Sequence, residues 1–123
     1  MAKSVLVVED EDSIAMALEF LISRQGYDLT RVSTGPAAIE ALSEGAHDLV
    51  VLDVMLPGCS GYEVCETIRK TASCAHVKVM MMTARGGAIE ERKAKALGAD
   101  AFIAKPFSHV ELTDTVNRLI RDD

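Results

Sequence analysis

The sequence predicts an α/β fold built on a parallel sheet, and three observations carry that prediction. Short apolar or β-branched runs alternate with helical stretches five times along 123 residues, the order expected of βαβ units. The runs Leu49 to Leu52 and Val79 to Met82 are apolar at every position. Both faces of such strands need cover, as when helices flank a parallel sheet on each side. Several of the helical stretches place apolar residues three, four, seven and eight apart, giving one buried face each.

Taken in order, Val5-Leu6-Val7-Val8 is the first strand. Asp12 or Ser13 is positioned to cap the helix that follows, whose stripe is Ile14, Leu18, Leu21 and Ile22, with Gly26 as its stop. A weaker strand runs from Asp28 to Val32. Thr34-Gly35-Pro36 then opens a second helix, with proline in the first turn where its missing N–H costs nothing. Leu49 to Leu52 is the third strand and Pro57-Gly58 makes a loop. Val64, Cys65 and Ile68 give the third helix its stripe. Val79 to Met82 is the fourth strand, and its row of methionines reads as core packing rather than as a metal or promiscuous binding surface. Gly86 to Leu97 is helical in composition but poorly amphipathic, and Gly98 ends it. Ala101 to Ala104 is the fifth strand. Ser108 and Glu111 form a capping-box pattern for the last helix, Phe107 and Leu112 a hydrophobic staple, and Leu112, Val116, Leu119 and Ile120 its core stripe.

Composition narrows the function classes. An apolar fraction of 49% and a charged fraction of 26% are ordinary for a globular domain, and the length suits one core. No apolar run is long enough to cross a bilayer, and Met1-Ala2-Lys3-Ser4 has no signal-peptide layout, so a cytoplasmic protein without membrane contact is expected. A formal net charge of −6 argues against direct binding of nucleic acid. Cys59, Cys65 and Cys74 form no CxxC pair and are odd in number, which fits a reducing compartment.

Ligands of open parallel sheets bind beyond the carboxyl ends of the strands. There the first strand offers Glu9-Asp10, the third Asp53, the fourth Thr83, and the fifth runs on to Lys105-Pro106. Carboxylates brought together repel one another unless they share a cation. A set of oxygen ligands without His or Cys suits Mg²⁺ above Ca²⁺, and Zn²⁺ least. Asp10 and Asp53 would be direct ligands and Glu9 one acting through water. Phosphoryl transfer needs mainly positioning and charge neutralisation, and a carboxylate can be its nucleophile. Thr83 could donate a hydrogen bond to the phosphoryl group, and Lys105 could supply a point charge.

The strips "VLVVEDED", "LVVLDVMLPGCSG", "VMMMTA" and "GADAFIAKPF" together resemble the receiver domains of bacterial two-component response regulators. Thr83, Phe102 and Lys105 follow Asp53 by 30, 49 and 52 residues, as in that family. The resemblance covers essentially the whole chain, so residues 1–123 are expected to form a single receiver domain. It implies a flavodoxin-like sheet in the order 2-1-3-4-5, an arrangement for which a chemotaxis receiver is a standard illustration. It also implies phosphorylation of Asp53 by a histidine kinase or phosphotransfer protein. Mg²⁺ would be held by Asp10, Asp53 and the Met55 backbone carbonyl, and the Lys105-Pro106 bond would be cis. Thr83 and Phe102 would be the switch pair, the ring turning inward as the hydroxyl moves toward the phosphate. The face of helix four, strand five and helix five would then control a downstream protein or output domain. Such a chain catalyses only its own phosphorylation and dephosphorylation, not conventional turnover.

Some residues depart from the family's commonest pattern. Glu9 replaces an aspartate, and Phe102 lacks a tyrosine hydroxyl. Met55 and Arg85 flank the site where phosphoryl lifetime is tuned; a bulky apolar group and a long cation there are expected to slow dephosphorylation. Thr115 and Asn117 stand where receivers of winged-helix transcription factors usually carry arginines, which weakens the expectation of a phosphorylation-linked dimer without removing it. Whether the receiver stands alone or belongs to a longer regulator is open.

Each residue alone has a plainer reading. Asp53 could be a solvated loop acid, Glu9 to Asp12 an acidic helix start, Lys105 surface charge and Thr83 a cap for the fourth helix. Their joint placement favours the switch. Two rivals are a pseudo-receiver that binds partners without phosphorylation and an aspartate-nucleophile phosphatase. The latter usually carries a second acid where Met55 stands. No GxGxxG or GxxxxGK[ST] motif follows the first strand.

Overall fold

Strands and helices alternate along the chain: β1 (Ser4–Val8), α1 (Asp12–Ser23), β2 (Asp28–Val32), α2 (Gly35–Glu44), β3 (Leu49–Asp53), α3 (Gly61–Lys70), β4 (Lys78–Thr83), α4 (Ala88–Ala96), β5 (Ala101–Ala104) and α5 (His109–Arg121). The computed structural model describes residues 3–84 and 87–121. All strand pairs are parallel and the sheet order is β2-β1-β3-β4-β5. The strand order therefore reverses between β1 and β3, the place where such sheets bind ligands.

Side chains alternate across the sheet, and each face carries its own core. Val5, Val7, Leu49, Val51, Met80 and Met82 pack with Leu18 and Ile22 of α1 and Leu112 and Val116 of α5. Leu6, Val8, Val50, Leu52, Val79 and Met81 pack on the other face with Leu42 of α2 and with Val64, Cys65 and Ile68 of α3. The methionine row is thus divided between two interiors. A fully buried side chain of this size contributes about 1.5–3 kcal/mol, which is why β1, β3 and β4 are apolar between their ends.

The helix starts show which local signals operate. Thr34 Oγ1 accepts from Ala37 N at 3.1 Å and caps α2. At α3 a full capping box joins Ser60 and Glu63, a pattern the sequence carries in plain view. Ser108 Oγ accepts from Glu111 N at 3.0 Å. The first helix differs from expectation: its N-cap is Glu11, without a side-chain cap, rather than Asp12 or Ser13. Asp12 is drawn away by Arg31, whose Nη1 lies 3.0 Å from Asp12 Oδ1. Glu11 N is satisfied instead by Glu9 Oε2 at 3.1 Å.

Helix α4 buries only Ala94 among its described residues, so its hold on the fold comes from elsewhere. One stripe of α3 supplies it. The Lys93 ammonium stands 4.4 Å from the Tyr62 ring centroid, and the Cys65 thiol donates to Leu97 O at 3.4 Å. Arg69 donates to Gly98 O at 2.9 and 2.7 Å, to Ala75 O and Val77 O, and pairs with Asp100 at 2.8 Å. At α5, Asn117 hydrogen-bonds Tyr27 and Gln25, while the Thr115 hydroxyl donates within the helix to Glu111 O. No described helix is long and apolar enough to cross a membrane.

Candidate functional site

The carboxyl ends of β1, β3, β4 and β5 converge on one group of polar side chains. Glu9 follows β1 directly and is fully buried, with no exposed surface, whereas its neighbour Asp10 is exposed. Asp53 ends β3 and is 4% exposed. Oxygens of Glu9, Asp10 and Asp53 lie within 4.8 Å of one another.

Lys105 enters from beyond β5. Its Nζ is 3.0 Å from Glu9 Oε1 and 3.1 Å from Asp53 Oδ2, so one ammonium bridges two buried acids. The Lys105 backbone is held by its own N–H, which donates to Thr83 O at 2.7 Å. The Lys105-Pro106 peptide bond is cis. Burial works against the ammonium, but the hydrogen bonds and charges of Glu9 and Asp53 prevail and hold its pKa above the usual lysine value. Burial pushes the Glu9 carboxyl up, against the opposing pull of Lys105 and the Glu11 N–H. Lys105 is therefore charged at neutral pH, and its ammonium lies against both Glu9 and Asp53.

Thr83 is the last residue of β4 and is buried, while the N-cap of α4 is Gly87, so Thr83 is not a helix cap. Phe102 is half-buried and packs against the core on the α2–α3–α4 face. Met55 is 74% exposed at the mouth of the site, its backbone N 3.5 Å from Asp53 Oδ1. Arg85 lies outside the described residues. The structure thus gathers Glu9, Asp10, Asp53 and Lys105, with Thr83 beside them at the same sheet edge.

Two residues at this site escaped the sequence reading. Gly61 opens α3 directly against the end of β3: its N–H donates to Val54 O at 2.8 Å, and a Cβ there would stand 2.2 Å from Asp53 O. The glycine was visible at the end of the second strip, but its reason is a backbone approach that spacing does not reveal. Arg31 of β2 donates from Nε and Nη2 to the Glu9 carbonyl at 3.0 and 2.7 Å. A lone arginine in a weak strand carries no sequence signal for that contact.

A family model described as "Response regulator receiver domain" matches residues 5–117. The sensory transduction protein RegX3 of Mycobacterium bovis and that of Mycobacterium tuberculosis are each 42% identical over 118 residues, covering 96% of this chain and 51% of theirs. The chain thus spans about half the length of the curated relatives it matches. Among solved structures, the receiver domain of the Francisella response regulator 1452 is 27% identical with a TM-score of 0.92, covering 98% of both chains. The receiver domain of a signal transduction histidine kinase from Syntrophus aciditrophicus is 30% identical with a TM-score of 0.90, covering 98% of this chain and 92% of that one. The chemotaxis response regulator CheY4 of Vibrio cholerae shares the fold at a TM-score of 0.91 and 24% identity, over 97% of this chain and 99% of its own. By family match and by close relatives, the chain belongs to the response regulator receiver domains, signalling components of two-component systems rather than conventional enzymes.

Proposed function

We propose that this receiver accepts a phosphoryl group on Asp53 from a histidine kinase or phosphotransfer protein of the cytoplasm. The observation that carries the reading is the bridge of Lys105 between Asp53 and Glu9 with Asp10 alongside. Three carboxylates against one ammonium leave two negative charges uncompensated, which one divalent cation matches. The all-oxygen donor set fits Mg²⁺. Asp10, Asp53 and the Met55 carbonyl would hold the ion, and Glu9 would act through water. When bound, it neutralises phosphoryl oxygens.

The Asp53 carboxylate attacks phosphorus, an O–P bond forms, and the donor's P–N bond breaks with its electron pair leaving on the imidazole. Lys105 is placed to exchange its Asp53 contact for a phosphoryl oxygen, and Thr83 to donate its hydroxyl proton to another. Phe102 then turns inward as the partner of Thr83, and the α4–β5–α5 face engages a downstream protein or output domain. Met55 and Arg85 slow the attack of water on the acyl phosphate. Residues 1–123 serve as the receiver unit, whether alone or within a longer regulator.

The test is incubation with a small phosphodonor and Mg²⁺ followed by intact mass. One phosphate, stable in acid and labile in base, is expected, and it should vanish in Asp53→Asn or with chelator. Absence of uptake from a small donor and from histidine kinases would make the chain a pseudo-receiver scaffold. Turnover of free phosphoesters would make it a phosphatase.

A further inference from the structure

The β1–α1 turn that carries the acidic pair is short, and α1 begins without a side-chain cap. Something else must fix the direction of Asp10, whose side chain is exposed, relative to the buried Asp53. Arg31 is the group in position to do so. It sits on β2 at the sheet edge, paired in register with Val7, and its side chain reaches forward past the end of β1. Nε and Nη2 both donate to the Glu9 carbonyl, at 3.0 and 2.7 Å, and Nη1 reaches Asp12 Oδ1 at 3.0 Å. On the same turn Glu9 N donates to Val32 O at 3.1 Å. The peptide that joins Glu9 to Asp10 is thereby held by its carbonyl, and its preceding N–H is held by the same strand.

These contacts are unequal. Asp12 is 86% exposed, and ion pairs of that kind contribute little. The two bonds to the Glu9 carbonyl are partly buried and charge-assisted, and they define an orientation as well as an energy. We propose that Arg31 is a positioning residue for the cation site: its fork holds the Glu9–Asp10 peptide so that both carboxylates stay directed at Asp53 before any ion arrives. The proposal rests on the reading of this cluster as a Mg²⁺ site. Its sign is diagnostic. A nearby positive charge with no positioning role repels a dication, so its removal would tighten binding. Loss of a positioning group weakens it.

The experiment is a Mg²⁺ titration of the full chain followed by backbone amide NMR shifts, on wild type, Arg31→Ala, Arg31→Lys and Asp12→Ala. Loss of an outer partner that orients metal ligands typically costs about 10- to 100-fold in affinity, and that is the expected weakening for Arg31→Ala. Arg31→Lys keeps the charge but not the fork, and should fall roughly three- to tenfold. It carries the test by itself if the alanine variant does not fold. Asp12→Ala should stay within about threefold of wild type, because it removes only the exposed pair. With a small phosphodonor, the Arg31→Ala deficit should disappear at saturating Mg²⁺. Unchanged or tighter Mg²⁺ binding in both Arg31 variants would overturn the proposal, as would a phosphorylation defect that persists at saturation. Wild type that binds no Mg²⁺ would remove the site reading itself, and the Arg31 role with it.

Discussion

A side-chain carbon on Gly61 would stand 2.2 Å from the carbonyl oxygen of Asp53 and 2.9 Å from Val54 Cα. The obstacle is backbone at the end of β3, so it has no flexible end to swing aside. Overpacking of this kind costs about 1–3 kcal/mol, and Gly61→Ala should lose at least that much in chemical denaturation, with its m-value unchanged. The variant should also phosphorylate more slowly than its folded fraction accounts for, because relief of the clash displaces Asp53.

Removing the Lys105 ammonium leaves Asp53 and the buried Glu9 facing each other without their shared cation. Loss of one preorganised donor to developing charge commonly costs about 10²–10³ in rate. Lys105→Met should slow phosphorylation from a small donor on that scale, read by intact mass against time. The linkage sign follows from a folded-state pKa raised above 10.5. The ion pairs stabilise fully below that value, and their contribution is lost as pH rises through the higher folded value. The excess alkaline stability of wild type over Lys105→Met should decline in that window.

Arg69 satisfies the carbonyls of Gly98, Ala75 and Val77 and pairs with Asp100, which itself accepts from Val79 N at 2.9 Å. Arg69→Ala removes donors from several partly buried acceptors at once. A loss of about 2–4 kcal/mol is expected from thermal or urea unfolding. Arg69→Lys should recover only a minor part, since one ammonium cannot span these directions.

His47 lies half-buried, its Nδ1 3.1 Å from Ser4 Oγ. Burial lowers its pKa below the ordinary 6.5, against the opposing influence of Asp48. A depressed folded-state value means that the neutral ring favours the fold above pH 6.5, and that this contribution is lost as pH falls through the lower value. Melting temperatures of wild type and His47→Gln, compared between neutral and mildly acid pH, should converge on acidification. Parallel curves would show that His47 contributes nothing to the acid limb.

The parts of the fold that were legible were those where one local pattern answers to one tertiary environment. Leu49 to Leu52 read as a doubly covered strand because it is one, and Leu112, Val116, Leu119 and Ile120 read as a stripe because all four are buried. The convergence of Glu9, Asp10 and Asp53 was legible because strand ends mark the ligand edge of such sheets. What stayed hidden depends on chain crossings. The Lys105–Glu9 contact joins residues 96 apart, and Arg31 and Arg69 look in sequence like any solvated cation. The α1 start was misread for the same reason: Asp12 has good capping chemistry, but a residue of the neighbouring strand competes for its carboxylate.

The grip of α3 on α4 has a mechanical consequence. Two of its three holds, Cys65 to Leu97 and Arg69 to Gly98, lie at the last turn of α4 and just past it, whereas the first turn has no side-chain cap and leaves Ile89 72% exposed. A rod clamped near one end travels farthest at the other. Any tilt of α4 is therefore amplified at Ile89 and Glu90, the end nearest Thr83, and damped at Leu97. A spin-label pair reporting from the front of α4 to the sheet would register a larger excursion than one at its rear.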